Sequence, residues 1–177
     1  MPSLRTVSFT NKISVLDIVA QTMADGPGLR TSIYCAGCPH HCPGCHNPQS
    51  WNIANGKWMS VDDLFDTIVE DEISNVTFTG GDPFFQVEAF TALARRIKAE
   101  TRKTIWCWTG YTIEQIREDP VKAELLKYID TLVDGPFLID QRDTTLLFRG
   151  SPNQRIIHLT PVEDDICPGA VELVKPR

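Results

Sequence analysis

Apolar positions along the chain follow two rhythms. Short runs rich in β-branched and aromatic residues occur at 13–19 (ISVLDIV), 31–34, 75–79, 104–108, 131–133 and 155–159, and each predicts a strand. Between them the spacing lengthens. Leu64, Phe65 and Ile68 form an apolar stripe behind Ser60-Val61-Asp62-Asp63, which resembles a capping box and predicts a helix ending near Asp71. Val87, Phe90, Ala94 and Ile97 share one helical face while Arg95, Arg96 and Lys98 point elsewhere, the firmest helical pattern in the chain. Residues 113–128 carry helical segments broken at Pro120, where the missing N–H ends a helix.

Strands alternating with helices predict a parallel sheet, because each parallel connection needs a crossover. About five βα units fit, fewer than the eight of a closed barrel of ~250 residues. The expected fold is therefore α/β, a partial and open βα barrel with a mainly parallel sheet. An open doubly wound sheet is the alternative. We expect one domain over 1–177, with a core of about residues 13–160 and an unassigned tail. The loops 35–46, 80–83, 109–111 and 134–137 each follow a predicted strand, so they should gather at one rim, where parallel α/β proteins build their sites.

Composition adds exclusions. The 177 residues are 42% hydrophobic and 23% charged, ordinary values for a soluble globular chain. A formal charge of -6 argues against a broad polyanion surface, so no nucleic-acid partner is expected. The opening MPSLRTVSFTNK lacks the apolar core of a signal peptide, and no run of about 18 apolar residues follows. The expected location is cytoplasmic, with no membrane association.

Four of the six cysteines crowd between Cys35 and Cys45. Without an export signal this favours metal binding over disulfides. Cys38-Pro-His-His-Cys42-Pro-Gly-Cys45 has the spacing C-x3-C-x2-C, which lets one loop offer three thiolates to three corners of a [4Fe–4S] cubane. The fourth iron then stays open, as an enzyme requires and an ordinary four-cysteine carrier does not. Two other readings stand beside it. Cys35 could close the cluster as a carrier, although the spacing differs from the bacterial ferredoxin run. Zinc could bind four cysteines, although zinc ribbons separate their knuckles by about 15–20 residues. Cys107 and Cys167 read as isolated thiols, and His40 and His41 as solvated loop residues.

The C-x3-C-x2-C loop resembles the signature of the radical S-adenosylmethionine superfamily. Further segments narrow the likeness: Asp25-Gly-Pro-Gly28, Cys45-His-Asn47 with Trp51, Thr79-Gly-Gly-Asp-Pro83, Trp108-Thr-Gly-Tyr111, Val133-Asp-Gly-Pro-Phe137 and Arg149-Gly-Ser-Pro-Asn-Gln154. Together they resemble the activating proteins of anaerobic ribonucleoside-triphosphate reductases, a family of glycyl-radical activating enzymes. One departure is Gly44, where several superfamily members carry an aromatic residue.

The resemblance implies one [4Fe–4S] cluster held by Cys38, Cys42 and Cys45, with S-adenosylmethionine on the open iron. It implies a partner reductase that presents a glycine-bearing loop, and an electron donor such as flavodoxin or ferredoxin. Reductive cleavage of S-adenosylmethionine would yield methionine and a 5′-deoxyadenosyl radical, which makes the glycyl radical. No side chain need act as nucleophile or base. Gly44, Cys45 and His46 flank the third ligand and are expected against the cofactor. Gly80 and Gly81 would let main chain approach its methionine portion, with Asp82 near the ammonium. A tight turn is the plain alternative for Gly80-Gly81-Asp82-Pro83. A radical enzyme acting on a small molecule, or an electron carrier, would use the same cysteine loop.

Overall fold

The computed structural model describes residues 11–161 and 171–172. Strands β1 (Lys12–Thr22), β2 (Arg30–Cys35), β3 (Lys57–Ser60), β4 (Asn75–Gly80), β5 (Ile105–Trp108), β6 (Thr131–Asp134), β7 (Arg155–His158) and β8 (Val171–Glu172) form one sheet in the order β3-β1-β2-β4-β5-β6-β7-β8. Helices α1 (Val61–Glu70), α2 (Val87–Glu100), α3 (Ile113–Glu118) and α4 (Pro120–Leu126) fill the connections. The predicted strands and helices are all present.

The sheet is mixed, with four parallel pairings and three antiparallel ones, so the parallel part predominates as expected. Among the described residues, however, helices cross over in only three connections, fewer than the five or so βα units expected. Strands β2, β4, β5 and β6 are parallel. β1 is antiparallel to both β2 and β3, and β7 is antiparallel to β6. The reason is local. Residues 23–29 are too few to hold a crossover, so β1 must return beside β2 in the opposite sense. Between β6 and β7 the chain holds only a single 3-10 turn, Ile139–Gln141, again without a crossover helix. β3 escaped the apolar pattern because its four residues, KWMS, are exposed or half-buried at the sheet edge. β3 and β8 bound the sheet and do not pair with each other, so it is open.

Alternation along the strands divides the sheet into two faces. One carries Ile33 and Cys35, Val76 and Phe78, Ile105 and Cys107, Leu132 and Ile157, all buried against Leu64, Phe65, Ile68, Phe90, Leu93, Ala94, Ile97, Ile116 and Leu125 of the helices. Ser60 caps α1 by accepting from Asp63 N at 3.0 Å, and Thr112 closes a capping box with Gln115 on α3. Asp119 caps α4, with Pro120 at the first turn, so the break predicted at Pro120 is a second helix start.

The opposite face bears no helix among the described residues. The register sets Ser32, Thr77, Trp106, Thr131 and His158 side by side across β2, β4, β5, β6 and β7. Arg30 is fully buried here; its guanidinium donates to Thr77 Oγ1 at 2.8 Å and to the Val76 carbonyl at 2.9 Å, and lies 5.6 Å from the Trp106 ring. The 23–29 loop folds back onto this face, held by Thr77 Oγ1 donating to the Asp25 carbonyl at 2.8 Å. Gly26 makes that approach possible. Its φ is +126°, and a Cβ would stand 2.8 Å from Arg30 Cδ, so this turn needs glycine.

Candidate functional site

The loops after the parallel strands meet at one end of the sheet, as expected, and a buried carboxylate ties them together. Asp82 is 0% exposed. It accepts from Phe84 N at 2.9 Å in its own loop, and from Thr109 Oγ1 at 2.8 Å and Gly110 N at 3.0 Å in the loop after β5. Its remaining partner is His40 Nε2 at 2.7 Å, from the cysteine loop. The His40 ring also packs edge-on against Tyr111 with centroids 4.5 Å apart.

Main-chain bonds complete the joint. Gly81 N donates to the Cys35 carbonyl at 2.7 Å, Asp82 N to the Gly37 carbonyl at 2.8 Å, and Gly37 N to the Ser50 carbonyl at 2.6 Å. A Cβ on Gly81 would stand 2.4 Å from Gly37 O, so glycine is required for the two loops to touch. The Gly-Gly-Asp-Pro segment is therefore a turn, and one that fixes where the cysteine loop begins.

A cavity of about 410 Å³ opens on the helix-free side. Cys38, Cys42 and Cys45 line it, with His40, His46, Gly80, Gly81, Trp108, Thr109, Gly135 and Phe137. Asp25 and Tyr34 reach it from the β1 and β2 side, where the Tyr34 hydroxyl donates to the Asp25 carboxylate. Residues 148–150 and Gln154 close the far wall.

The donor chemistry suits an iron–sulfur cluster. Cys38, Cys42 and Cys45 are free, half-buried thiols on one loop that face the same cavity. Among the described residues no three His, Cys, Asp or Glu side chains are grouped as a single metal ion would need. Ligands of a cubane bind separate irons and need not converge on one point. Burial pushes the Cys38 thiol up to about 11, a rise reinforced by Asp82 and opposed by the main chain at His40. Iron binding at Cys38 must then displace a proton. Cys35 and Cys107 are 0% exposed in the helix-side core, and burial holds both thiols well above the ordinary range. Neither lines the cavity, which leaves Cys35 a packing residue and weakens the four-cysteine reading. Cys167 lies outside the described residues.

Of the residues expected at the cofactor, Cys45, His46, Gly80 and Gly81 line the cavity, and His46 packs against Phe137 at 5.5 Å. Gly44 and Asp82 do not line it. Gly44, at φ +72°, lies beneath Ile139, whose Cδ1 a Cβ would meet at 2.3 Å. Asp82 is occupied by four loop donors, so its reach is through the backbone it holds. His40, read from sequence as a solvated residue, is instead on the wall and bonded to Asp82. Trp106 is core, whereas Trp108 is on the wall and donates through Nε1 to the Phe148 carbonyl at 3.0 Å. Asp134 supports the rim: it accepts from Ile113 N at 2.7 Å and from Arg155 Nε at 2.9 Å.

Residues 24–157 match the family model of the 4Fe-4S single cluster domain. The chain is 35% identical over 148 residues, 78% of its length and 92% of the relative's, to the anaerobic ribonucleoside-triphosphate reductase-activating protein of Pasteurella multocida (strain Pm70). It is 38% identical over 148 residues to the protein of that name from Haemophilus influenzae (strain ATCC 51907 / DSM 11121 / KW20 / Rd), covering 76% of this chain and 90% of that one. The corresponding protein of Enterobacteria phage T4 is 38% identical over 138 residues, 75% of this chain and 85% of its own.

Proposed function

This chain belongs to the family of anaerobic ribonucleoside-triphosphate reductase-activating proteins, and we propose that it activates such a reductase by generating a glycyl radical on it. In this reading it is a radical S-adenosylmethionine oxidoreductase, and its open mixed sheet is the partial barrel of that superfamily. Cys38, Cys42 and Cys45 would hold a [4Fe–4S] cluster and leave it open to S-adenosylmethionine. Given an electron from a donor such as flavodoxin or ferredoxin, the bound pair would supply reductive cleavage to methionine and a 5′-deoxyadenosyl radical able to take a hydrogen atom from the partner's glycine.

The chain's own residues position and enclose. Gly80 and Gly81 present main chain to the cavity without side chains in the way. Asp82, through Thr109, Gly110 and His40, keeps three loops at fixed separation. Trp108, Phe137 and Phe148 offer apolar walls that exclude water from a reactive intermediate. His46 takes the side beside the third ligand, Cys45, on the cavity wall, and Gly44 lets the chain turn behind it, beneath Ile139. No helix among the described residues is long and apolar enough to cross a membrane; a low-potential cluster belongs in a reducing compartment, and we assign the cytoplasm.

The observation that carries this reading is the meeting of three thiols from one loop with the glycine loop after β4 around one cavity. Anaerobically reconstituted protein, reduced and mixed with S-adenosylmethionine and the reductase, should give an organic radical signal by electron paramagnetic resonance. Loss of that signal when the reductase glycine is changed to alanine is also expected. Methionine and 5′-deoxyadenosine without any radical on the reductase would refute the activase role.

A further inference from the structure

We propose that Arg149 is the carboxylate receptor of this cavity, a role that rests on the reading of the cavity as the cofactor and partner site. Arg149 lies on the cavity wall, half-buried, in the connection between β6 and β7. Its Nη1 donates to the Gln154 carbonyl at 3.1 Å. Its Nε is closed off from solvent and has no acceptor among the described residues. No carboxylate among the described residues lies within ion-pair reach of it, in a chain that has 23 acidic and 17 basic residues.

The other arginines show how unusual this is. Arg95, Arg96 and Arg155 pair with carboxylates, and the buried Arg30 spends its donors on carbonyls and hydroxyls. Arg102, Arg117 and Arg142 have no ion pair among the described residues but stand exposed to water. Arg149 alone among them combines partial burial, an orphaned donor and a place on the cavity. A cation withdrawn from water needs an anion, and a planar guanidinium matches a carboxylate in two parallel bonds.

The loop is also built to hold this side chain in place. Phe148 has φ +58°, a left-handed conformation that is uncommon for a phenylalanine. It is fixed by Trp108 Nε1 on its carbonyl, while Gln154 Oε1 accepts from Gly150 N at 2.8 Å and Gln154 Nε2 donates to the Gly135 carbonyl at 3.1 Å. Strain held by surrounding bonds is a mark of a pre-organised site. Two groups could supply the carboxylate: the amino-acid end of S-adenosylmethionine, or an acidic residue of the segment that the partner inserts.

Cluster-loaded wild type, Arg149→Gln and Arg149→Lys separate the two. Equilibrium dialysis would measure S-adenosylmethionine and its decarboxylated analogue, and calorimetry would measure the reductase, with iron content as the control for intact sites. If the cofactor supplies the carboxylate, Arg149→Gln weakens S-adenosylmethionine at least about tenfold and leaves the analogue unchanged. If the partner supplies it, only the reductase weakens, by a similar factor. Arg149→Lys keeps the charge and loses the fork, so it falls between; it also serves the same comparison should Arg149→Gln fail to load iron. Unchanged binding of both ligands, or equal weakening of S-adenosylmethionine and its analogue, overturns the assignment. Wild type that binds no S-adenosylmethionine would overturn the functional reading instead, and Arg149 would then be decided by the reductase measurement.

Discussion

Replacing Asp82 with alanine tests the joint on which the site depends. The substitution removes two oxygens that accept from Phe84 N, Thr109 Oγ1, Gly110 N and His40 Nε2. The Thr109 hydroxyl can turn, and the His40 ring, on the cavity wall, can reach water. Gly110 also lines the cavity, but the Phe84 N–H is buried and cannot reach water, and a buried donor left unmade costs about 1–3 kcal/mol. The expected loss is therefore at least ~1–3 kcal/mol, a sizeable share of the 5–15 kcal/mol typical of a domain. Asp82→Asn keeps one acceptor oxygen but turns an amide N–H toward other donors, so it should lose less. Urea unfolding of the cluster-free protein under reducing conditions, followed by tryptophan fluorescence and circular dichroism, measures both. A residue whose main work was to hold a cofactor's ammonium would leave the cluster-free protein's stability nearly unchanged. A loss under about 1 kcal/mol for Asp82→Ala would refute the reasoning.

Other outcomes follow from the same geometry. Cys35→Ala should retain iron and cost about 1 kcal/mol or somewhat more from the small void, whereas alanine at Cys38, Cys42 or Cys45 should lose the cluster; iron analysis with absorbance separates them. Gly81→Ala drives a Cβ to 2.4 Å from the Gly37 carbonyl, and should cost roughly 1–3 kcal/mol of stability and lower the iron retained per chain. The hydrogen bonds from Arg155 hold the Glu114 carboxyl down at about 2. Its contribution to stability is complete above the unfolded value near 4.5 and fades as pH falls toward 2. Glu114→Gln should therefore be less stable than wild type at pH 6, by about 1 kcal/mol or less because the pair is solvent-screened. The difference should vanish near pH 2, and one that grows on acidification would contradict the sign.

Much of the fold is written in residue spacing. The stripe of Val87, Phe90, Ala94 and Ile97 gave α2, and the loops that carry chemistry were found because each follows a strand. Sheet polarity was less legible: apolar alternation is the same in parallel and antiparallel strands, and only the short connection at 23–29 and the lack of an α-helix in the twenty residues of 135–154 betray the reversal. β3 buries too little to leave a pattern. At the site, C-x3-C-x2-C marked the thiols because cysteine spacing is itself the chemistry. His40 and Asp82 could not be paired from sequence, since they lie 42 residues apart and neither flanking segment signals the other. Arg149 became conspicuous only when the absence of a neighbouring carboxylate could be seen.

The central claim is a [4Fe–4S] cluster on Cys38, Cys42 and Cys45 with one iron free to take an added ligand. Mössbauer spectroscopy of protein loaded with iron-57, before and after S-adenosylmethionine, addresses it most directly. Four irons per chain are expected, one of which changes its signal when S-adenosylmethionine is added. Four irons that all ignore it, or zinc in their place, would rule out a cluster with an open iron on these cysteines.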